Sequence, residues 1–453
     1  MNLIFGIKDK PKFSQLIVFA FQQLLAIMAA TLAVPAVINQ SMALTGADAM
    51  SPAAALFGAG MGTIVYLLFT RSKSPVFLGS SFAFIGSMCS AFAGAATVSL
   101  GYLGLIIGAV LAGLVYVILA LVVKVSGVAW IQKLMPAVVI GPTVAIIGLS
   151  LAGNAVGDLT NGMGGSVYVA LICGLVTLFT TMLVSTYAKG TPKLIPFILG
   201  ILAGYACASI FYLIGNATGN DALKVISYQP FVDCFAKAGI RSFLDAPEFT
   251  FWRAKGSFGG LTLPYFITLL TAYVPVAFVV FAEHLADHKN LSTIVGQDLL
   301  SDPGLDKTLL GDGVGSMIGA IFGGCPNTTY GESIGCVAIT RNASVATIWC
   351  AAFLCMAVSF LSPFVAFLSS IPACVMGGVC IALYGFIAVS GLKMLQPVDL
   401  NDNANLFTAS VILITGVGGL VVSFGAVEIR TVACALILGI LTNLMLSGEK
   451  DEQ

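Results

Sequence analysis

Gly79-Ser80-Ser81-Phe82 breaks an apolar stretch, and Asn327-Thr328-Thr329-Tyr330 breaks another 248 residues later. Two further matches keep the same order. Ala33-Val34-Pro35-Ala36-Val37 resembles Tyr273-Val274-Pro275-Val276-Ala277, at an offset of 240 residues. Pro136-Ala137-Val138-Val139-Ile140-Gly141 resembles Pro372-Ala373-Cys374-Val375-Met376-Gly377, at an offset of 236. Small apolar residues are abundant, so each match alone says little. Three in one order at nearly one offset point to an internal repeat.

The surroundings of these matches are those of a membrane protein. Of 453 residues, 58% are hydrophobic and 9% charged, and mean hydropathy is +1.02. A soluble chain carries about 25% charged residues, so one large soluble domain is excluded. A spanning helix needs about 20 mostly apolar residues. Breaks at Gly, Pro and charged residues divide the chain into fourteen candidate spans. They cover 13–40, 51–70, 80–98, 101–123, 128–152, 167–187, 193–215, 262–287, 307–324, 329–341, 344–369, 371–391, 404–424 and 429–447. The repeat offset covers seven of them. Seven is odd, so the two halves lie in the bilayer with opposite orientation, a plan shared by many secondary transporters. The expected fold is an all-α polytopic membrane protein with 14 transmembrane segments in a 7+7 inverted repeat. The polar connection 216–260 receives no assignment.

Charge sets the orientation. With the N-terminus inside, alternating spans put 13 of the 20 basic residues in inside segments, from Lys8 and Lys12 to Lys193, Arg341 and Lys450. Short outside loops hold only Arg430. That bias favours cytoplasmic N- and C-termini, with Met1–Lys12 read as a tail before a retained first helix. Net charge is zero, which argues against a nucleic-acid partner. The 11 cysteines form no disulfide framework and no zinc spacing, and His284 and His288 are the only histidines. No metal and no cofactor are expected.

Ionisable groups inside a span need a reason. Glu283 closes a 20-residue stretch, Leu263 to Ala282, that has no charge. Glu332 opens span ten after Tyr330-Gly331. The plainer alternatives are a snorkelling helix-end acid for Glu283 and a first-turn acid facing the helix dipole for Glu332. Pro75-Val76-Phe77-Leu78 reads as extended before Gly79, and Pro326-Asn327-Thr328-Thr329 does the same before Tyr330. Broken segments of this kind expose amides and helix N-termini within the bilayer. Two ordinary helix entries at the interface are the competing reading. A site built here offers carboxylate acceptors, N–H and hydroxyl donors, and Phe82 and Tyr330 as flat walls. It suits a planar polar heterocycle. It suits an anion less, since the nearby Arg341 stands at the far end of span ten.

Leu78-Gly79-Ser80-Ser81-Phe82-Ala83-Phe84-Ile85, Ala282-Glu283-His284 and Pro326-Asn327-Thr328-Thr329-Tyr330-Gly331-Glu332-Ser333-Ile334-Gly335, with Asp302-Pro303-Gly304-Leu305, carry a resemblance. The chain resembles the nucleobase–ascorbate transporter family from about Phe13 to Leu446, and within it the bacterial uracil permeases. The resemblance implies short antiparallel strands in spans three and ten. It implies a core domain (1–124 and 262–370) and a gate domain (125–261, with the long loop, and 371–453). Glu283 and Glu332 would bind ring N–H groups. The Phe82 amide and the Tyr330–Gly331 backbone would meet ring carbonyls, with Ser81, Ser333 and the Phe82 ring beside them. Relatives of this type are proton-coupled and dimerise through their gate domains. Three positions depart from the family pattern. Ser333 stands where Asn is common. Asp287 stands where a histidine follows the first glutamate by four residues, with His288 next. Gln22-Gln23 occupies the place of a histidine in span one. Glu283, Asp287 and His288 are therefore the proton-coupling candidates, although Asp287 also reads as a helix-end acid paired with Lys289.

The function these residues lead us to expect is proton-coupled import of a nucleobase, uracil first, across the cell inner (plasma) membrane, with core moving against gate. A purine permease for xanthine or urate is the alternative within the family. An anion exchanger on the same 7+7 plan is the alternative outside it. No nucleophile–base pair favours an enzyme.

Overall fold

A computed structural model describes residues 3–127, 129–237, 239–424, 427–429 and 431–447. Arg430, Lys450 and Met1, used above for orientation, lie outside them. Apolar runs fold as helices, because a helix satisfies its own backbone where no water can. Eight helices among the described residues are long and apolar enough to cross a membrane. They are Phe13–Ser41, Gly46–Phe69, Val98–Ser126, Ala137–Leu159, Val167–Tyr187, Pro196–Thr218, Leu263–Val295 and Ala373–Lys393.

Of the remaining expected spans the ninth is one continuous helix, Leu305–Gly323, and the others are shorter or interrupted. Span three is helical only over Phe82–Ala93, with a 3₁₀ first turn, and span ten only over Gly331–Thr340, each after an extended entry. Span eleven breaks into Val345–Val358 and Ser362–Ser370. Asn403–Val417 and Thr431–Ser447 close the chain's helical order. Between them Val422–Phe424 pairs antiparallel with Val427–Ile429, a hairpin the periodicity does not announce. The 216–260 connection holds the short helices Gln229–Ala236 and Thr250–Arg253.

The helices pack as two groups. In the first, Pro52–Phe69 and Val98–Ser126 lie on Leu305–Gly323, and Val345–Val358 lies on Phe13–Ser41 and Pro52–Phe69. Glycines permit this approach. A methyl on Gly62 would stand 2.8 Å from the Gly315 carbonyl oxygen, well inside van der Waals contact. In the second group Ala373–Lys393 packs on Ala137–Ser150 and Val167–Tyr187, and Val167–Tyr187 packs on Pro196–Thr218. Leu263–Val295 touches both groups.

The long connection bridges them. Its first half binds the second group, with Ser166 N–H donating to Ala222 O at 2.7 Å and Tyr228 OH to Ser209 Oγ at 2.6 Å. Its second half binds the first group. Phe249 packs tilted against Phe57 and edge-on against Phe322, and Arg253 donates to Ala49 O and Tyr102 OH, both at 2.6 Å.

Candidate functional site

The site is built on two short strands, Leu78–Ser80 (β1) and Asn327–Thr329 (β2). They pair antiparallel, Leu78 with Thr329, Gly79 with Thr328 and Ser80 with Asn327. Neighbouring backbone bonds lengthen the ladder. Ser81 N–H donates to Pro326 O at 2.9 Å, and Tyr330 N–H donates to Phe77 O at 3.2 Å. Buried strand edges need partners, and side chains supply them. Leu78 N–H donates to Thr63 Oγ1 at 2.9 Å. Asn327 N–H donates to Ser316 Oγ at 3.0 Å, and its Nδ2 to Gly58 O at 3.1 Å. Tyr330 folds back over Gly79, and its OH donates to Ser80 O at 2.7 Å. Only a residue without Cβ fits under that ring.

A cavity of about 380 Å³ lies against these strands, between the two helix groups. Glu283 and Asp287 of the Leu263–Val295 helix, with Phe82, Thr329, Tyr330, Gly331 and Glu332 at the strand ends, form one wall. Val144, Phe197, Phe386, Ile387, Ser390 and Met394 form the wall from the second group. Three carboxylates thus face one space, with aromatic and aliphatic surface opposite. The cation on the lining is Lys193, exposed at the rim with Asn290. Among the described residues none of the three carboxylates forms a salt bridge. Thr329 Oγ1 donates to Asp287 Oδ2 at 2.7 Å. The Phe82 ring meets Tyr384 edge-on at 5.6 Å and joins the two groups.

Six sequence candidates therefore share the cavity: Glu283, Glu332, Asp287, Phe82, Tyr330 and Gly331. Ser81, Ser333 and His288 are buried and lie off its lining. Ser333 Oγ accepts from Phe77 N–H at 2.9 Å and from the Gln23 side-chain amide. His288 Nε2 lies 2.7 Å from Tyr66 OH, and its ring stacks on His284 at 4.1 Å. His284 Nδ1 in turn lies 2.7 Å from Asp312 Oδ2.

Asp312 was open to discovery from sequence, as a carboxylate inside the 307–324 span. The wall from the second group carried no such signal, because Phe386, Ile387 and Met394 look like any apolar helix residues. Among the described residues no group of three His, Cys, Asp or Glu could hold a metal ion.

The family model described as "Permease family" matches residues 14–424. The chain is 39% identical to the uracil permease of Bacillus caldolyticus over 449 residues, covering 98% of this chain and 95% of that one. It is 37% identical to the uracil permease of Bacillus subtilis (strain 168), covering 99% and 96%. Among solved structures, the transmembrane domain of a cyanobacterial bicarbonate transporter, BicA, matches with a TM-score of 0.57 at 15% identity, covering 96% of this chain and 99% of that one. At that identity the likeness is one of fold. Family model and full-length relatives agree, and the chain belongs to this permease family of multi-pass membrane transporters, the nucleobase–ascorbate transporters.

Proposed function

We propose that the chain imports uracil by proton symport, with one helix group sliding against the other. The observation that carries this reading is the single cavity onto which Glu283, Asp287 and Glu332 face beside Tyr330 and Phe82. Uracil is flat, with two ring N–H donors and two carbonyl acceptors. Glu283 and Glu332 accept from the N–H groups. The Phe82 amide and, on the Tyr330–Gly331 backbone, the Gly331 amide, at starting helices whose first amides lack intrahelical acceptors, donate to the carbonyls. A proton on the Glu283/Asp287 pair, with His288 behind it, lowers the cost of carrying charge through the low-dielectric barrier. The uracil permeases of both Bacillus species support the choice of base.

The architecture in this proposal is a 7+7 inverted repeat. The ladder register supports it. At the 248-residue offset, a two-fold axis relating the halves runs through the centre of the ladder, between Gly79–Thr328 and Ser80–Asn327. The first helix group is the core and the second the gate. The packing supports this division with one amendment: residues 249–253 of the connection, grouped with the gate by sequence, lie on core helices. The gate helices expose Phe179, Met182 and Leu213, surface for lipid or for the second subunit of a homodimer. With both termini in the cytoplasm, the Lys193–Asn290 rim faces inward and the cavity opens to the cell interior.

An anion exchanger on this fold is the weaker reading, because three carboxylates line the cavity and its lysine is at the rim. The test is radiolabelled uracil uptake into proteoliposomes, with and without an inward proton gradient, against tenfold excess xanthine. Uptake driven by the gradient and indifferent to xanthine is expected. Uptake that ignores an imposed gradient removes the proton, and block by xanthine moves the substrate to purines.

A further inference from the structure

Ser333 is fully buried one residue past Glu332, and Gln23 is 2% exposed in the middle of the Phe13–Ser41 helix. Neither lies on the cavity lining. They meet each other. Gln23 Nε2 donates to Ser333 Oγ and, at 3.3 Å, to Ser333 O. The same hydroxyl accepts from Phe77 N–H at 2.9 Å. A serine hydroxyl has two acceptor positions, so Gln23 and Phe77 use both.

Phe77 has a second tie to the same turn, since its carbonyl accepts from Tyr330 N–H at 3.2 Å. Both backbone groups of one residue therefore clamp the segment from Tyr330 to Ser333 at its two ends. Between the clamps stand Gly331 and Glu332, which face the cavity. Rotation of this turn would move the Glu332 carboxylate off the wall. The clamps oppose that rotation, and Gln23 holds the Ser333 end from a different helix.

We propose that Gln23 and Ser333 are positioning residues for substrate: acting as one unit through Phe77 N–H, they fix where Tyr330 and Glu332 present themselves to the base. Ser333 thereby serves binding from behind the wall and without touching the substrate. This rests on the nucleobase reading of the cavity.

The test is uracil uptake kinetics and equilibrium uracil binding for Ser333→Ala, Gln23→Met and the double variant, with Ser333→Thr as the conservative control. Gln23→Met keeps the length of the side chain and removes its donor. It lies outside the strand region, so it reports even if Ser333→Ala folds poorly. Each single variant is expected to raise KM and the uracil Kd about five- to tenfold, the scale of one neutral hydrogen bond, with Vmax per folded transporter retained. The double variant should cost little more than either single one, as for partners in one network. Ser333→Thr should restore KM. A purely structural role would lower the amount of folded protein and Vmax and leave Kd alone, and that outcome overturns the proposal. So does a double variant whose effects multiply. Wild-type protein that binds neither uracil nor xanthine overturns the nucleobase reading and this proposal with it. Wild-type binding with unchanged Kd in both single variants overturns the proposal alone.

Discussion

Thr329 Oγ1 donates a 2.7 Å hydrogen bond to Asp287 Oδ2, tying the end of β2 to the Leu263–Val295 helix. Asp287 lies one helical turn after Glu283, and both line the cavity. The strand, the first glutamate and a second carboxylate thus form one unit. In the proton-symport reading the second carboxylate is the group that can load and unload without releasing the base. Asp287→Asn keeps an acceptor for Thr329 and removes the proton site. Gradient-driven accumulation of uracil should collapse toward equal concentrations on both sides, while exchange of labelled for unlabelled uracil persists. An Asp287→Asn protein that accumulates uracil as the wild type does would remove Asp287 from the coupling.

Glu283 and Glu332 carry the direct contacts in this reading. A hydrogen bond to a charged group contributes about 1.5–3 kcal/mol, and 1.4 kcal/mol is a factor of ten in affinity. Glu283→Ala or Glu332→Ala should therefore weaken uracil binding about ten- to a hundredfold, measured by equilibrium binding on purified protein. Gln retains one acceptor oxygen, so the loss should be smaller than for Ala at the same position. Unchanged affinity for both variants would leave the carboxylates without a role in binding.

Much of this is legible in the sequence alone. Hydropathy located eight long helices, and 167–187 coincides with Val167–Tyr187 at both ends. The two breaks were legible because Gly79-Ser80-Ser81 and Pro326-Asn327 cluster poor helix formers in an apolar run. Glu283 and Glu332 stood out because a carboxylate in a membrane span is costly. Long-range partnership was not legible. Nothing local says that Gln23 reaches Ser333 across 310 residues. Nothing local says that Phe249 and Arg253 in a polar connection settle on Phe57 and Ala49. Ser333 illustrates the difference. Its neighbours in sequence make it a candidate for substrate contact, and its neighbours in space put it behind the wall.

Gly79 and Gly331 separate packing from binding. A methyl on Gly79 would overlap the Tyr330 ring. That ring cannot swing aside freely, because its hydroxyl donates to Ser80 O. Gly79→Ala should cost about 1–3 kcal/mol of stability, as overpacked cores do, seen as a lower unfolding temperature in detergent and lost uptake. A methyl on Gly331 meets nothing within 4 Å and enters the cavity. Gly331→Ala should keep the wild-type unfolding temperature and bind uracil more weakly. Equal unfolding temperatures for the two variants would contradict the ring packing seen over Gly79.

The 216–260 connection gives a pH dependence whose sign is fixed. Lys237 Nζ lies 2.7 Å from Asp245 Oδ2. Its hydrogen bond, aided by its charge, holds the Asp245 carboxyl below the usual carboxylate range. A group whose pKa is lowered by folding stabilises the folded form above its unfolded pKa, near 4. That contribution fades as pH falls through the lower folded value. Asp245 N–H donates to Phe360 O at 3.0 Å, fastening the connection to the break in span eleven. Hydrogen exchange at this amide, corrected for its intrinsic rate, reads the pair directly. Above pH 4 the wild type should be better protected than Lys237→Ala, by at most the factor of about five that an exposed pair of up to roughly 1 kcal/mol allows. As the medium is acidified below that range the two proteins should converge, because protonated Asp245 no longer distinguishes lysine from alanine. Equal protection at neutral pH would mean that the Phe360 carbonyl holds the connection without help from the ion pair.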